Sequence, residues 1–173
     1  MKHSRGSAKA FTLIELAVAI AIVGILVLLV SSNYKGIMMK VSKANCISNM
    51  RSLHVAFSSF VNDAGYWPQI PEQLASGESD YEDWWIETME PYTGSEKVWL
   101  CPVLKAGRLS SADGRVLRMH YIPTQFDANR ISPTRWPRQP WLIEMGDAHG
   151  DGALILFPDG AVQSLGQVLG KKK

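Results

Sequence analysis

The hydrophobic pattern of this chain changes period twice along its length. Residues 11 to 30, "FTLIELAVAIAIVGILVLLV", contain no Lys, Arg or Pro and a single acid, Glu15. An α-helix rises 1.5 Å per residue, so this run spans about 30 Å, the thickness of a bilayer's hydrocarbon core. Beyond it, apolar residues recur at Ile37, Val41, Ala44, Ile47, Met50, Leu53, Phe57 and Phe60, with Lys40, Lys43, Arg51 and Asn62 off that face. Steps of three and four place one apolar stripe on a helix. No proline occurs from Phe11 to Asp63, so the pattern predicts one helix of about 53 residues, roughly 80 Å long. "NDAGYWPQIP", with Gly65, Pro68 and Pro71, stops it.

The remainder is shorter-ranged. "EDWWIETMEPY" (82 to 92) predicts two helical turns with Trp84, Trp85 and Met89 available for packing. "RVLRMHYI" (115 to 122) and "WLIEM" (141 to 145) read as strands. "ALILF", "PDG" and "AVQSL" read as a hairpin, because Pro158 presets φ and Gly160 accepts a positive one. "TQFDANRISPTRWPRQP" is too proline-rich for a central strand and predicts a surface loop. The expected fold class is α+β, a long N-terminal helix packed by its second half on a small C-terminal antiparallel sheet. The expected divisions are 1–10, 11–30, 31–64 and 65–173.

Composition changes this picture only where it is uneven. The 173 residues are 46% hydrophobic and 20% charged, ordinary for a globular protein, and mean hydropathy is −0.03. The first ten residues, "MKHSRGSAKA", hold Lys2, Arg5 and Lys9 and no acid. Basic flanks stay cytoplasmic, so the domain beyond Val30 is expected on the outer side. Without that leader the chain is close to neutral, which gives nucleic acid nothing to bind. The C-terminal "KKK" reads as a solvated tail. A cleaved secretory signal is the competing reading, but its apolar core would be about 7 to 15 residues long and end at a small-residue site. "VLLVSSNY" offers no good A-x-A, so an uncleaved membrane helix is expected.

A basic leader, a small residue, "FTLIEL" and an unbroken apolar helix together resemble the type IV pilins, including the pseudopilins of type II secretion. The resemblance implies a pilin-like fold and a non-enzymatic, prepilin-like structural subunit of a type II secretion pseudopilus or type IV pilus-like fibre. It implies cleavage between Ala10 and Phe11 by a membrane prepilin peptidase, which also N-methylates Phe11. The family usually has Gly where this chain has Ala10, and often a proline where this chain has Ser31, Ser32 and Asn33. The implied partners are the peptidase/N-methyltransferase, further copies or related pseudopilins, an inner-membrane assembly platform and membrane lipid. The implied location is the bacterial inner membrane, single-pass, with the C-terminal domain periplasmic, and afterwards the fibre.

Cleavage would create a cationic amine at Phe11, with Glu15 four residues on, on the same helix face and about 6 Å along the axis. A charge at mid-membrane costs about 2.5 to 3.5 kcal/mol on insertion scales, and less near the interface. Glu15 of one subunit meeting the Phe11 amine of the next would relieve that cost only in the assembled register. "HGDGALILFPDG" is similar to the His-x9-Asp-Gly ending of a subset of bacterial prepilin-like proteins, here His149, Asp159 and Gly160.

The remaining chemistry is sparse. No cofactor is expected. Asp147, Asp151 and Asp159 are candidate calcium ligands, since hard carboxylates suit calcium and some pseudopilins bind it in C-terminal loops; the alternative is that they are satisfied turn residues. Cys46 and Cys101 both fall on the expected outer side, where they would form a disulfide or remain two buried thiols. No G-x-S-x-G, H-E-x-x-H, P-loop or G-x-G-x-x-G is present. His3, His54, His120 and His149 are scattered, and Trp67, Trp84, Trp85, Trp99, Trp136 and Trp141 read as packing residues before ligand-groove residues. The alternative function is a signal-anchored extracytoplasmic binding module or enzyme.

Overall fold

The computed structural model describes residues 12–74, 79–106, 110 and 114–170. The basic leader, Ala10, Phe11 and the lysine tail lie outside them. Helix α1 runs Leu13–Ala64, and the chain divides into two compact units at Met38 and Met39.

In the first unit every described side chain from Thr12 to Leu29 is exposed. Among the described residues no single helix is long and apolar enough, by length and composition, to cross a membrane; Leu13–Leu29 and Tyr34–Ala64 pass that test only as a pair. Leu13–Leu29 alone reaches roughly 25 Å.

The second unit is α+β, as expected. Its four strands, β1 (Tyr121–Pro123), β2 (Leu142–Glu144), β3 (Leu154–Leu156) and β4 (Val162–Ser164), form an antiparallel meander in chain order. Alternation along the strands turns Tyr121, Leu142, Glu144, Leu154, Leu156 and Ser164 inward. The register pairs Tyr121 with Glu144 and Leu142 with Leu156. The β3–β4 hairpin turns at Pro158–Gly160. Gly160 takes φ +78°, and its N–H donates to the Phe157 carbonyl at 2.9 Å. A Cβ there would lie 3.3 Å from the His54 ring.

The face that α1 presents to this sheet starts later than the periodicity predicts. Cys46, Met50, Leu53, Ala56 and Phe57 are buried, whereas Ile37, Val41 and Ala44 are exposed. The stripe is continuous in sequence, but the small sheet and its loops cover only the part from Cys46 onward. The helix ends as expected, with Gly65 at φ +82° donating its N–H to Val61 O.

Helix α2 (Ser79–Met89) buries Trp85, Ile86 and Met89. Short helices α3 (Pro102–Ala106), α4 (Ser132–Arg135) and α5 (Leu165–Val168) punctuate the loops, and α4 gives the proline-rich stretch one turn of structure. An aromatic stack forms the centre. Phe57 lies on Trp67 at 4.6 Å between ring centroids and meets the rings of Trp85 and Trp99. Trp67 in turn meets Trp141 at 5.1 Å. Trp136 alone of the six is largely exposed, at 58%.

One strand expectation is corrected. Of "RVLRMHYI", only Tyr121 and Ile122 enter β1. The Arg118 N–H donates to Glu82 at 2.9 Å, its guanidinium bridges Asp83 and Glu96, and the His120 N–H donates to Trp99 O at 2.8 Å. Residues 116–120 therefore meet α2 and the Trp99 turn through Arg118 and the His120 N–H. Among the described residues, strand pairing there is confined to an isolated Ser110–Val116 bridge and a Met145 N–H to His120 carbonyl bond beside β1.

Candidate functional site

Two places concentrate polar chemistry, one in each unit. At the start of α1, Glu15 Oε2 accepts from the Thr12 N–H at 2.9 Å and from the Thr12 hydroxyl at 2.8 Å. The Thr12 oxygen in turn accepts the Glu15 N–H at 3.3 Å. This is a capping box: Thr at the cap and Glu three residues on satisfy two donors that the first helical turn leaves without partners. Glu15 therefore has a local role before any neighbour arrives. Thr-x-x-Glu is legible in the sequence as a helix-start signal. Both bonds from Thr12 fall on Oε2, so the carboxylate can take a second donor on Oε1.

In the second unit, Cys46, Cys101, Glu144 and His149 converge. Cys46 comes from the buried face of α1, Cys101 from the segment after the Trp99 turn, Glu144 from the end of β2 and His149 from the β2–β3 connection. All four are buried, and one ligand-capable atom from each lies within 4.8 Å of the others. The two sulfurs are 2.6 Å apart, and both cysteines are free thiols. His149 Nε2 lies 3.3 Å from Glu144 Oε1 and 3.7 Å from Cys101 Sγ. Glu144 Oε2 accepts from the Leu154 N–H at 3.2 Å.

The local backbone explains this convergence. Gly146 and Gly150 take φ +76° and +75°, which folds the β2–β3 connection so that His149 returns beside Glu144. The Cys101 N–H donates to His120 Nδ1 at 3.0 Å, which fixes the cysteine's backbone.

Electrostatically the cluster is crowded. Burial, and next the Cys101 thiol, push the Glu144 carboxyl up to about 7. The two thiols move in opposite directions: the contact between them lowers Cys46, while the same contact, with burial, raises Cys101. Such a pair releases its first proton readily and its second reluctantly. Burial also raises the Tyr121 phenol, which faces Cys46. The Tyr121 hydroxyl and His149 Nδ1 are both buried without a hydrogen-bond partner.

The structure thus brings Cys46, Cys101 and His149 together. The three aspartates are engaged separately. Asp147 accepts the Gly150 and Gly152 N–H groups at 2.7 and 3.0 Å. Asp151 pairs with Lys43 at 2.8 Å and accepts from the Ser164 hydroxyl. Asp159 caps its own turn through the Ala161 N–H. His54 stacks on Trp141 and bonds the Pro158 carbonyl, so it braces the hairpin. Glu144 is the member that sequence reasoning missed. Its signal was an acid two residues from Leu142 in "WLIEM", where a period of two puts both on the core side.

Residues 5–31 match the model of the prokaryotic N-terminal methylation motif, the prepilin motif of type IV pilins and pseudopilins. The match includes Thr12 and Glu15 and does not reach His149, Asp159 or Gly160. No curated protein and no solved structure matches the chain. The chain carries a prepilin-type N terminus.

Proposed function

We propose, with that N terminus as the premise, that the chain is a prepilin-like structural subunit of a fibre of the type II secretion pseudopilus or type IV pilus kind. A prepilin peptidase cuts between Ala10 and Phe11 and methylates Phe11. Before assembly, the apolar first half of α1 holds the subunit in the inner membrane in a single pass, with the globular unit on the periplasmic side. Subunits then leave the bilayer and stack these helices at the fibre's centre. The observation that carries this reading is the Thr12–Glu15 capping box at the start of the apolar first stretch of α1, whose described side chains from Thr12 to Leu29 are all exposed, inside the matched motif.

The capping box sharpens the role of the acid. Two donors from Thr12 lower the cost of keeping the carboxylate charged near hydrocarbon, and they hold it in one orientation. The Phe11 amine of a neighbouring subunit then meets an acid that is already placed. Charge pairing in such surroundings selects one register of stacking more than it adds net stability. A structural role is supported by the matched motif and by a globular unit whose buried aromatic residues pack into its core.

A shear assay tests the proposal. With an active prepilin peptidase and assembly machinery, the chain is expected in the pelleted filament fraction released by shearing, and to stay in membranes when the peptidase is inactive. Retention in membranes under both conditions, while a control prepilin assembles, contradicts it.

A further inference from the structure

We propose that Cys46, Cys101, Glu144 and His149 form a closed tetrahedral site for one zinc ion, which staples α1 to the sheet and to the segment around Cys101. Two thiolates, one imidazole and one carboxylate are a donor set that zinc takes readily, and four protein ligands with no open position mark a structural site.

The geometry supports this ion. Zinc bonds of about 2.3 Å to sulfur and 2.0 to 2.2 Å to nitrogen and oxygen give tetrahedral edges of about 3.3 to 3.8 Å. The His149–Glu144 and His149–Cys101 separations, 3.3 and 3.7 Å, already fall in that range. The sulfur pair at 2.6 Å must part by about 1 Å to reach the corresponding edge, and the widest separations, up to 4.8 Å, must close by about as much.

A disulfide would use only two of the four groups. It would leave Glu144 at 2% exposure, with the Leu154 N–H and His149 as its hydrogen-bonding partners. Burying a carboxylate is costly without a compensating cation. Zinc supplies two positive charges against the three negative ones that the two thiols and the acid carry once they release their protons to solvent on binding. The closed site is left with a net charge of about −1. The buried Tyr121 hydroxyl, without a hydrogen-bond partner beside Cys46, then finds a thiolate acceptor. Outer-shell donors of this kind orient and tune metal ligands. The four ligands come from three separate parts of the chain, so the ion would add a link between elements that also meet in the core and through the Asn49–Leu100, His54–Pro158 and Lys43–Asp151 contacts.

The test uses the full chain in detergent, reduced and stripped of metal, then titrated with Co²⁺ alone and Zn²⁺ alone. One Co²⁺ per chain is expected, with thiolate-to-cobalt absorption in the near ultraviolet and the visible bands of a tetrahedral ion. Stoichiometric Zn²⁺ should abolish these bands and raise the thermal midpoint of the chain. Glu144→Gln should keep the thiolate band while weakening affinity by more than about 10-fold, the lower bound set by loss of outer-shell partners alone. Two results overturn the proposal. One is a folded, reduced chain that develops no thiolate–cobalt band. The other is a chain isolated without reductant that is metal-free and two hydrogens lighter, which identifies the disulfide.

Discussion

Replacing Glu15 by Leu is expected to leave the chain cut and membrane-bound while reducing its incorporation into fibres by at least about a hundredfold. The replacement leaves a neighbour's Phe11 amine unpaired among packed apolar helices. Breaking a buried pair by removing one partner costs about 3 to 5 kcal/mol, and every 1.4 kcal/mol is a factor of ten. The capping box, however, offers a second reason for the acid, and Glu15→Leu removes both. Glu15→Gln separates them. Glutamine can complete the box with Thr12, but it carries no charge for the amine. If register depends on the pair, Glu15→Gln assembles as poorly as Glu15→Leu in the shear assay. If the acid serves only the helix start, Glu15→Gln assembles like the parent chain and the pairing is refuted.

The second large effect belongs to the globular unit. Phe57→Ala should destabilise it by about 3 to 5 kcal/mol, the range for deleting a fully buried phenylalanine. Phe57 is 0% exposed and stacked on Trp67, with Trp85 and Trp99 around it. Trp67 is held by Phe126 and Trp141, and Trp85 by Tyr81 and Trp84, so these indoles cannot close over the space it leaves. Denaturant unfolding of the full chain in detergent, followed by tryptophan fluorescence, should show a lower midpoint with an unchanged slope. Phe60→Ala, at the half-buried end of the same face, should cost less. Equal effects for the two would mean that the stack is not the centre of the core.

Where one physical rule acted alone, the sequence was a good guide. An uninterrupted apolar run followed by a stripe at helical spacing gave α1 nearly to the residue, ending at Gly65. The "PDG" turn between two apolar runs gave the β3–β4 hairpin. Where two rules competed, the weaker one misled. Residues 115–122 read as a strand, but the N–H groups of Arg118 and His120 go to Glu82 and Trp99, and no local pattern carries that information. Ile37, Val41 and Ala44 share the apolar stripe and still lie exposed, because periodicity names a face without saying how far its cover extends.

The sites divide in the same way. Glu15 stood out as an acid in an apolar run, whereas its partner Thr12 was hidden by being ordinary. Cys46 and Cys101 are 55 positions apart, and His149 entered through its spacing to Asp159. Their meeting with Glu144 depends on the β1–β2 register and on two positive-φ glycines, which only the folded chain displays.

Assembly through Glu15 requires the cut that frees the Phe11 amine. It is tested most directly by the mass of the N-terminal peptide from chain isolated out of cells with an active prepilin peptidase. The expected peptide begins at Phe11 and carries one added methyl group. A peptide beginning at Met1, from cells in which a control prepilin is fully processed, would contradict it.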